Sequence, residues 1–542
     1  MQKISRKVLY SVTFLGMLLM LTIGGGLLGR STPQSIQNQV ACPTTLSATA
    51  DNNALRWNVT WGGVSSELGM GVAMDANGSA YCIGYSDSFG AGGYDFALVK
   101  VASNGTRLWN ITWGGTGNDR GFGVAVDASG SAYCVGWTAS FGAGATDFAL
   151  VKVAPNGTRL WNFTWGSIYT DVCNGVAVDA SGSVYCVGQT YSAGGISEEL
   201  ALVKVASNGT RLWNITWGGA GQENGQGVAV DANGSAYCVG WTNSFGAGNA
   251  DFALVKVAPN GTRLWNTTWG DTGSEYSNGV TVDASGSIYC VGWTDSYGAG
   301  GYDFALVKVA PNGTGLWNTT WGGVSADYGT GVAMVASGAV YCGGYTQNFG
   351  AGNADFALVK VAPNGIRLWN TTWGGTGNDY SYGVTVTNGS AYCAGNTYSF
   401  GAGSTDFALV KLIIPPEAPV LNPISPASDK DGIVTLNWSD VAGVEKYCIY
   451  RELFNITSIV GLQPKYVVIE SQYIDSLTIE TTYYYVIVAA VGPFNSTISN
   501  CESVTFATSS GVPGFELVYL LIGLLALLPI VQQKRSIEFF HA

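Results

Sequence analysis

The residue types that most often carry catalysis are scarce in this chain. Among its 542 residues there is one histidine, His541, next to the C-terminus. A Ser-His-Asp triad, a Cys-His pair or a histidine-rich metal site therefore cannot be assembled elsewhere in the sequence. The remaining common route is a pair of carboxylates held in different environments. Because the carboxylates recur in equivalent positions, we expect no catalytic residues and no enzymatic activity.

Two series of acidic residues recur along the chain. The first series is expected in the loop after each WNxTW strand and comprises Glu67, Asp119, Asp171, Glu223, Glu275, Asp327 and Asp379. The second series precedes a run of the type FALVK and comprises Asp95, Asp147, Glu199, Asp251, Asp303, Asp355 and Asp406. Clustered carboxylates can hold Ca²⁺, which takes about six to eight oxygen ligands, or each can cap a local turn through backbone N–H groups. The sequence contains no D-x-[DN]-x-[DN]-G loop, which favours the turn role and leaves the first series as calcium candidates; no other cofactor is expected.

Seven of the 11 cysteines also recur, at Cys82, Cys134, Cys186, Cys238, Cys290, Cys342 and Cys393. One cysteine per repeat is not a metal-binding spacing. Equivalent positions in neighbouring repeats should also lie too far apart for a disulfide. We therefore predict small buried packing residues, and a candidate disulfide between Cys448 and Cys501 near the C-terminus.

Two sets of N-x-[ST] sequons are candidate glycosylation sites in a secreted protein. One set lies in the WNxTW motifs, at Asn58, Asn110, Asn162, Asn214, Asn266, Asn318 and Asn370. The other set lies in Asn-Gly turns, at Asn104, Asn156, Asn208, Asn260 and Asn312. The alternatives are that strand alternation explains the first set and turn geometry the second.

These residues sit on a repeat of 52 residues. WNxTW begins at Trp57, Trp109, Trp161, Trp213, Trp265, Trp317 and Trp369. Each repeat has four runs of strand character, for example Gly123–Asp127, Ser131–Thr138, Phe148–Val153 and Arg159–Trp165, with Asn-Gly marking a hairpin before the last run. Four short strands per repeat are typical of a propeller blade.

The ends of the repeat region predict a closed ring. The chain enters at a fourth strand, Leu55–Trp61, and leaves at a third strand, Phe407–Leu412, so the first strand can complete the last blade. We predict an all-β fold with a seven-bladed β-propeller over residues 54–413. The block GVAVDASGSAYCVGWT at Gly123–Thr138 resembles the SBBP repeat family, whose pattern runs roughly G-x-A-V-D-x-x-G-x-x-Y-x-x-G. The resemblance implies the propeller fold but no single activity, and the third repeat departs from it at Glu198–Leu200.

The period stops after Pro416, and residues 416–508 read as a second all-β domain. Trp438 in LNWSD and Tyr447 in KYCIYRE resemble the second- and third-strand markers of a fibronectin type III domain. Seven short strand runs in about 90 residues are typical of that β-sandwich.

Both ends of the chain have hydrophobic segments that we expect to be helical. Residues 1–30 carry basic residues before an apolar run, which indicates a signal peptide or a signal anchor, and 31–53 form a linker. After a short linker at 509–512, residues 513–542 open with Pro-Gly-Phe, continue with the apolar run Phe515–Val531 and end in basic residues. This end resembles the PGF-type sorting signals of archaeal surface proteins, which a sortase-like enzyme removes and replaces with a lipid anchor. A retained transmembrane anchor is the alternative.

The composition and the predicted signal and anchor segments together favour a binding role outside the cell. The net charge of -12 argues against a nucleic-acid partner. Loops such as Trp137–Ala145 present an aromatic ring among Gly and Ser, and such rings can stack on a sugar or on a protein. We expect a membrane-anchored, glycosylated cell-surface protein that binds a surface protein or glycan by multivalent weak contacts. One alternative is a carbohydrate-active protein, either a lectin or glycosidase-like, that uses the loops or the central channel. Another is an envelope component without a soluble ligand.

Overall fold

The computed structural model describes residues 55–507, with gaps at 192–194, 196, 388, 426–427, 430, 442 and 492–493. The predicted terminal segments (1–30, 31–53, 509–512 and 513–542) with their hydrophobic helices lie outside the described residues. Within the described residues every regular element is a β-strand. No helix in this part of the chain is long and apolar enough to cross a membrane.

Residues 55–413 form seven antiparallel sheets of four strands, here numbered 1 to 7 in chain order. The chain opens with β1 (Leu55–Trp61). Sheets 1 to 3 consist of β2 (Glu67–Met74), β3 (Ala80–Ser86), β4 (Asp95–Val101) and β5 (Arg107–Trp113); β6 (Asp119–Val126), β7 (Ala132–Thr138), β8 (Asp147–Val153) and β9 (Arg159–Trp165); and β10 (Val172–Val178), β11 (Val184–Tyr191), β12 (Glu198–Val205) and β13 (Arg211–Trp217).

Sheets 4 to 7 repeat the same order. They consist of β14 (Glu223–Val230), β15 (Ala236–Thr242), β16 (Asp251–Val257) and β17 (Arg263–Trp269); β18 (Glu275–Val282), β19 (Ile288–Thr294), β20 (Asp303–Val309) and β21 (Gly315–Trp321); β22 (Asp327–Met334), β23 (Val340–Thr346), β24 (Asp355–Val361) and β25 (Arg367–Trp373); and β26 (Asp379–Thr387), β27 (Ser390–Thr397), β28 (Asp406–Ile413) and β1.

The N-terminal strand completes sheet 7. β1 pairs antiparallel with β28 from Leu55↔Leu412 to Trp61↔Phe407, which confirms the predicted pairing. The first strand of each sheet contacts the first strand of the next, and β26 contacts β2, so the first strands form a closed ring. In each sheet of this ring the third strand therefore pairs with a fourth strand and has no open edge.

The first strands begin earlier than the sequence predicts. In sheet 2 the strand starts at Asp119 rather than at Gly123, because the pairing Asp119↔Thr138 continues beyond a register shift between Gly121 and Gly123. The same shift recurs in the first strand of every sheet. The first acidic series therefore opens these strands in every sheet except sheet 3, where Asp171 directly precedes β10, and the expectation that all its members lie in the loops after WNxTW was wrong.

The hydrophobic core lies between successive sheets. One cluster joins Tyr81 and Phe96 of sheet 1 to Cys134 and Val151 of sheet 2, and equivalent clusters follow around the ring. Second and third strands are buried on both faces because each sheet has a neighbour on either side. In the outer strand, Asn110 faces solvent between two tryptophans that point inward, as alternation requires.

Trp109 of this outer strand also ties two sheets together. Its Nε1–H donates to the carbonyl of Pro155 in the next sheet, at 3.1 Å. Pro155 lies in the hairpin between the third and fourth strands, which is closed by a bond of 2.9 Å from Gly157 N to Ala154 O. The Asn-Gly signal thus predicts the hairpin correctly, but Asn and Gly are the last two residues of a four-residue turn.

Residues 416–507 form two further sheets. One is built from β29 (Ser428–Asp429), β31 (Lys446–Glu452), β32 (Tyr466–Val468), β34 (Thr481–Val491), β35 (Phe494–Asn495) and β36 (Glu502–Phe506), and the other from β30 (Ile433–Asn437) and β33 (Gln472–Ser476). Side chains from both sheets share one core, in which the rings of Trp438 and Tyr447 lie 5.4 Å apart. This region is therefore a two-layer β-sandwich.

The predicted disulfide between Cys448 and Cys501 was wrong. Cys501 carries a free thiol, whereas Cys448 is disulfide-bonded. Cys448 lies in β31 and Cys501 directly precedes β36, and β34 lies between these two strands. Strands two positions apart in a sheet are separated by roughly 9–10 Å, which is beyond the Cα separation that a disulfide can bridge.

Candidate functional site

The candidate site lies at one end of the ring, here called the loop end. First and third strands begin at this end and second strands finish there, because neighbouring strands are antiparallel. Both acidic series and the loops between second and third strands therefore meet at the loop end. The opposite end, here called the hairpin end, carries the Asn-Gly turns.

Every member of the first acidic series is fully buried. Each carboxylate accepts the backbone N–H of the residue four positions earlier, for example Gly115 N to Asp119 at 2.8 Å. The equivalent bonds run from residues 63, 167, 219, 271, 323 and 375. The series thus performs the turn-capping role, and no group of three or more His, Cys, Asp or Glu able to hold a metal occurs among the described residues.

The second acidic series meets the first across each junction between sheets. A Cβ added to Gly114 would collide with the carboxylates of both Asp95 and Asp119, so glycine is required where the two acids approach. Asp95 Oδ1 and Asp119 Oδ1 are buried and have no hydrogen-bond partner. Burial raises the pKa of Asp95, and the charge of Asp119 raises it further, although N–H groups of Ala91 and Gly92 act in the opposite direction.

A ring of exposed aromatic side chains, here called the rim aromatics, lies in the loops between second and third strands. It comprises Phe89, Phe141, Phe245, Tyr297, Phe349 and Phe400, each 38–44% exposed. Each ring also packs on the last tryptophan of a WNxTW motif in the preceding sheet, as Phe141 does on Trp113 at 5.3 Å. The rim aromatics therefore fasten neighbouring sheets and still present an aromatic edge to solvent.

The sheets differ at the residue that follows each acid of the first series. This position holds Leu68, Arg120, Val172, Asn224, Tyr276, Tyr328 and Tyr380. The bulged residue two positions later also varies, as Met70, Phe122, Asn174, Gln226, Asn278, Thr330 and Tyr382. Because the surrounding fold repeats, it does not itself require a different residue in each sheet, and bulges often re-aim side chains at functional sites.

On sheets 4 to 7 the tyrosines at the first of these positions and the aromatic residues of the second strands build one continuous aromatic surface, here called the aromatic crescent. It runs through partly exposed rings of Trp241, Tyr276, Trp293, Tyr328, Tyr345 and Tyr380. Successive ring centroids lie 5.4, 4.2, 5.6, 4.8 and 4.8 Å apart. The corresponding positions hold Val172 and Gln189 in sheet 3 and Asn224 in sheet 4, so the aromatic surface stops there.

Sheets 1 and 2 have a smaller aromatic group that is already filled. The guanidinium of Arg120 lies over the rings of Tyr85, Tyr94 and Trp137 at 4.9, 4.5 and 5.4 Å. In such an arrangement cation–π interactions with the ring faces stabilise the guanidinium. This group is therefore closed by the chain's own side chain, unlike the aromatic crescent.

The candidate glycosylation sites lie away from the loop end. Asn104 and its equivalents are exposed at the hairpin end, where each side-chain oxygen accepts the N–H of the sequon threonine, as in Thr106 N to Asn104 at 3.0 Å. Asn110 and its equivalents lie on the outer strands, exposed except for Asn370, which is partly buried. Glycans on either set would leave the loop end accessible.

The repeated cysteines are buried and free, as predicted. Burial raises the pKa of the Cys290 and Cys393 thiols to about 12, so these thiols stay protonated and unreactive. Sheet 3 has a further buried thiol, Cys173, which interacts with Cys186. The cysteines therefore pack the sheets and contribute nothing to the loop end.

The loop aromatics are recognisable in the sequence of a single repeat, but the crescent is not. Trp241 and Trp293 belong to a strand that recurs, whereas Tyr276, Tyr328 and Tyr380 stand at a position at which the repeats differ. The signal was present in the sequence, since EYSNG, DYGTG and DYSYG begin three consecutive first strands where earlier copies read ELGMG, DRGFG and ENGQG. Comparing the repeats position by position would have found it.

Comparison with known families supports a β-propeller repeat protein. The family described as "Domain of unknown function (DUF5122) beta-propeller" matches residues 284–315. This stretch contains β19 and β20, the second and third strands of sheet 5. No curated protein matches the chain.

Similar solved structures share little sequence with this chain. PorZ, a surface component of the type-IX secretion system of Porphyromonas gingivalis, is 11% identical with a TM-score of 0.40, over 83% of this chain and 60% of that one. The extracellular domain of a hybrid two component system from B. thetaiotaomicron is 12% identical with a TM-score of 0.37, over 83% of this chain and 57% of that one. The WD40 domain of Neurospora crassa Pan2 is 9% identical with a TM-score of 0.38, over 63% of this chain and 88% of that one. At these values the similarities carry no information on ligands or partners.

Proposed function

We propose that this chain is a cell-surface binding protein, in which a seven-bladed SBBP-type propeller presents its loop end to a ligand. In this reading each four-stranded sheet is a blade, and the sandwich is a fibronectin type III-like domain that links the propeller to a C-terminal membrane anchor. The apolar terminal segments and the N-x-[ST] sequons support the surface location and N-glycosylation. Binding or adhesion, not catalysis, is the proposed activity.

The observation that carries the proposal is the set of exposed aromatic rings at the loop end. Six rim aromatics remain about 40% exposed although each has a tryptophan to pack on. Exposed aromatic rings are costly to solvate and bind well to sugars and to protein side chains. The candidate glycans lie at the hairpin end and on the outer strands, so they do not obstruct these rings.

The experiment is binding of the purified full-length chain to a glycan array, with and without EDTA. We expect binding that persists in EDTA, because the carboxylates of the first series are already engaged as turn caps. Binding that EDTA abolishes would instead assign the first acidic series to calcium and favour a calcium-bridged lectin. Absence of binding to every glycan would leave a protein ligand or an envelope role as the better account.

A further inference from the structure

We propose that the aromatic crescent is a single binding site for a neutral oligosaccharide. The inference rests on the proposed binding function and names its ligand class and its position. It replaces the expectation of equal weak contacts around the ring with one asymmetric site on sheets 4 to 7.

The crescent is not required by the fold. Sheets 1 to 4 place Leu68, Arg120, Val172 and Asn224 where sheets 5 to 7 place tyrosine, yet all share the same strand pairing. A position that accepts leucine, arginine, valine or asparagine in equivalent surroundings has no packing demand for tyrosine. The three consecutive tyrosines therefore call for a role outside the strand pairing.

The exposed chemistry of the crescent suits a sugar. Tyr276 stacks on Trp293 and Tyr328 stacks on Tyr345, with interplanar angles of 25° and 29°, so each pair forms a rigid platform. The hydroxyls of these tyrosines and the Nε1–H of Trp293 make no hydrogen bond within the described residues. A platform with aromatic faces beside unpartnered donors and acceptors matches a pyranose, which has apolar C–H faces and hydroxyl edges.

The charge distribution disfavours an anionic ligand. Every Lys and Arg of residues 55–413 lies near the hairpin end, in the FALVK and RLW segments or at Arg56, except Arg120, whose guanidinium is held in its own aromatic group. Anionic ligands therefore find no free cation beside the crescent. The acids Asp327 and Asp379 below it are fully buried turn caps, but Asp295 beside Tyr276 is exposed, so the test below includes a basic ligand.

The test is isothermal titration calorimetry of the full-length chain with linear neutral hexasaccharides of glucose, N-acetylglucosamine and mannose. We expect one bound oligosaccharide per chain. Trp293→Ala should weaken binding by about tenfold or more, because it removes the central ring of the crescent. Tyr328→Phe keeps the ring and removes one hydroxyl, and should weaken binding by roughly fivefold without unfolding the protein.

Phe454→Ala is the control, since it removes an exposed aromatic ring of the sandwich, away from the loop end, and it should leave the affinity unchanged. A stoichiometry near six that falls to about five in Phe141→Ala and is unchanged in Tyr328→Phe would overturn the single site and leave the proposed function standing. Binding of an oligo-arginine peptide in place of every saccharide would overturn the ligand class. Absence of any saccharide binding, here and on the array, would overturn the inference together with the glycan form of the proposed function.

Discussion

At the scale of single residues, the paired carboxylates between neighbouring sheets include buried oxygens that accept no hydrogen bond. Asp355 and Asp379 flank Gly374 as Asp95 and Asp119 flank Gly114. Oδ1 of Asp355 and Oδ1 of Asp379 are both buried without a partner. A buried acceptor without a donor costs about 1–3 kcal/mol. Supplying a hydrogen-bond donor to one of these oxygens should therefore stabilise the protein.

We therefore expect Asp355→Asn to stabilise the protein at pH 7 by about 1 kcal/mol. The amide oxygen can still accept the N–H of Gly352, as Oδ2 of Asp355 does at 2.9 Å. The amide nitrogen can donate to Asp379, and one of two like charges is removed. Chemical denaturation of the variant and the parent chain measures the difference.

Asp251→Asn is the control for this change. Its neighbour Glu275 already has both oxygens engaged, by Asp271 N at 3.0 Å and by Thr294 Oγ1 at 2.8 Å. The amide nitrogen introduced there meets no unpartnered acceptor on Glu275, and the gain should be smaller. Equal changes in the two variants would contradict the assignment of orphaned oxygens to the Asp355 junction.

The same pairs predict how stability depends on pH. Burial raises the pKa of Asp95, Asp147, Asp303 and Asp355, and the neighbouring acid raises it further, against the effect of turn N–H groups. A raised pKa means that stability is fully present below the unfolded value of about 3.9 and is lost as the pH rises through the folded value. The melting temperature should therefore increase when the pH is lowered from 7 towards 4, because the folded chain takes up these protons at a higher pH than the unfolded chain does. A melting temperature that falls steadily over this interval would contradict the shift.

Cysteine reactivity gives an independent test at this scale. Cys501 is partly exposed, whereas the free cysteines of the seven sheets are buried. Because burial keeps those thiols protonated, a maleimide should label Cys501 in the folded chain and the others only after denaturation. Peptide mass spectrometry distinguishes the sites, and early labelling of Cys82 would show that the sheets open locally.

At the scale of the element, the WNxTW strand acts as a tie between neighbouring sheets. Trp109 donates to Pro155 of the following hairpin, but the Nε1–H of Trp369 is buried without a partner. We expect Trp109→Phe to destabilise the protein by about 1 kcal/mol and Trp369→Phe to be neutral or stabilising, since it removes an unsatisfied donor. Thermal unfolding of the two variants measures the contrast, which equal losses would contradict.

The elements that repeat could be read from the sequence. Period, alternation and turn residues placed β1 at Leu55–Trp61 and the outer strand at Arg159–Trp165, as the structure has them. The start of the first strand could not be placed, because the bulge at Phe122 interrupts the alternation that marks a strand. The bridge from Cys448 to Cys501 failed because a strand order of β31, β34 and β36 is a tertiary property that cysteine spacing does not encode.

The candidate site was only half predictable for a related reason. Loop aromatics such as Phe141 stand out among Gly and Ser, so their exposure could be anticipated. The crescent depends on Tyr276 meeting Trp293 across a strand pair and Trp241 across a sheet junction. These distances arise only when neighbouring sheets pack side by side, and no local pattern in the sequence reports them.

At the scale of the whole molecule, closure by β1 links the first described residues to the last sheet. Trp57 Nε1 and Lys411 Nζ both donate to the carbonyl of Ser103 in sheet 1, at 3.2 and 3.1 Å. Sheet 7 and sheet 1 are therefore fastened by the same hairpin contact that joins the other sheets. A ring closed in this way has no free third-strand edge, and β28 would become such an edge if β1 left.

We therefore expect Val59→Pro, in the middle of β1, to open the ring. Proline removes a backbone N–H and fixes φ, which β1 cannot tolerate while it pairs Val59 with Leu409. The exposed edge of β28 should then pair with a second chain, and light scattering should detect more concentration-dependent association than in the parent chain at the same temperature. Ile111→Pro is the matched control, because β5 is covalently continuous with its own sheet through the hairpin that precedes it. Its strand can be damaged without separating the two ends of the ring, so association there should be weaker. If both variants associate equally, the N-terminal strand has no special part in holding the ring shut, and the sheets would be stable as an open array.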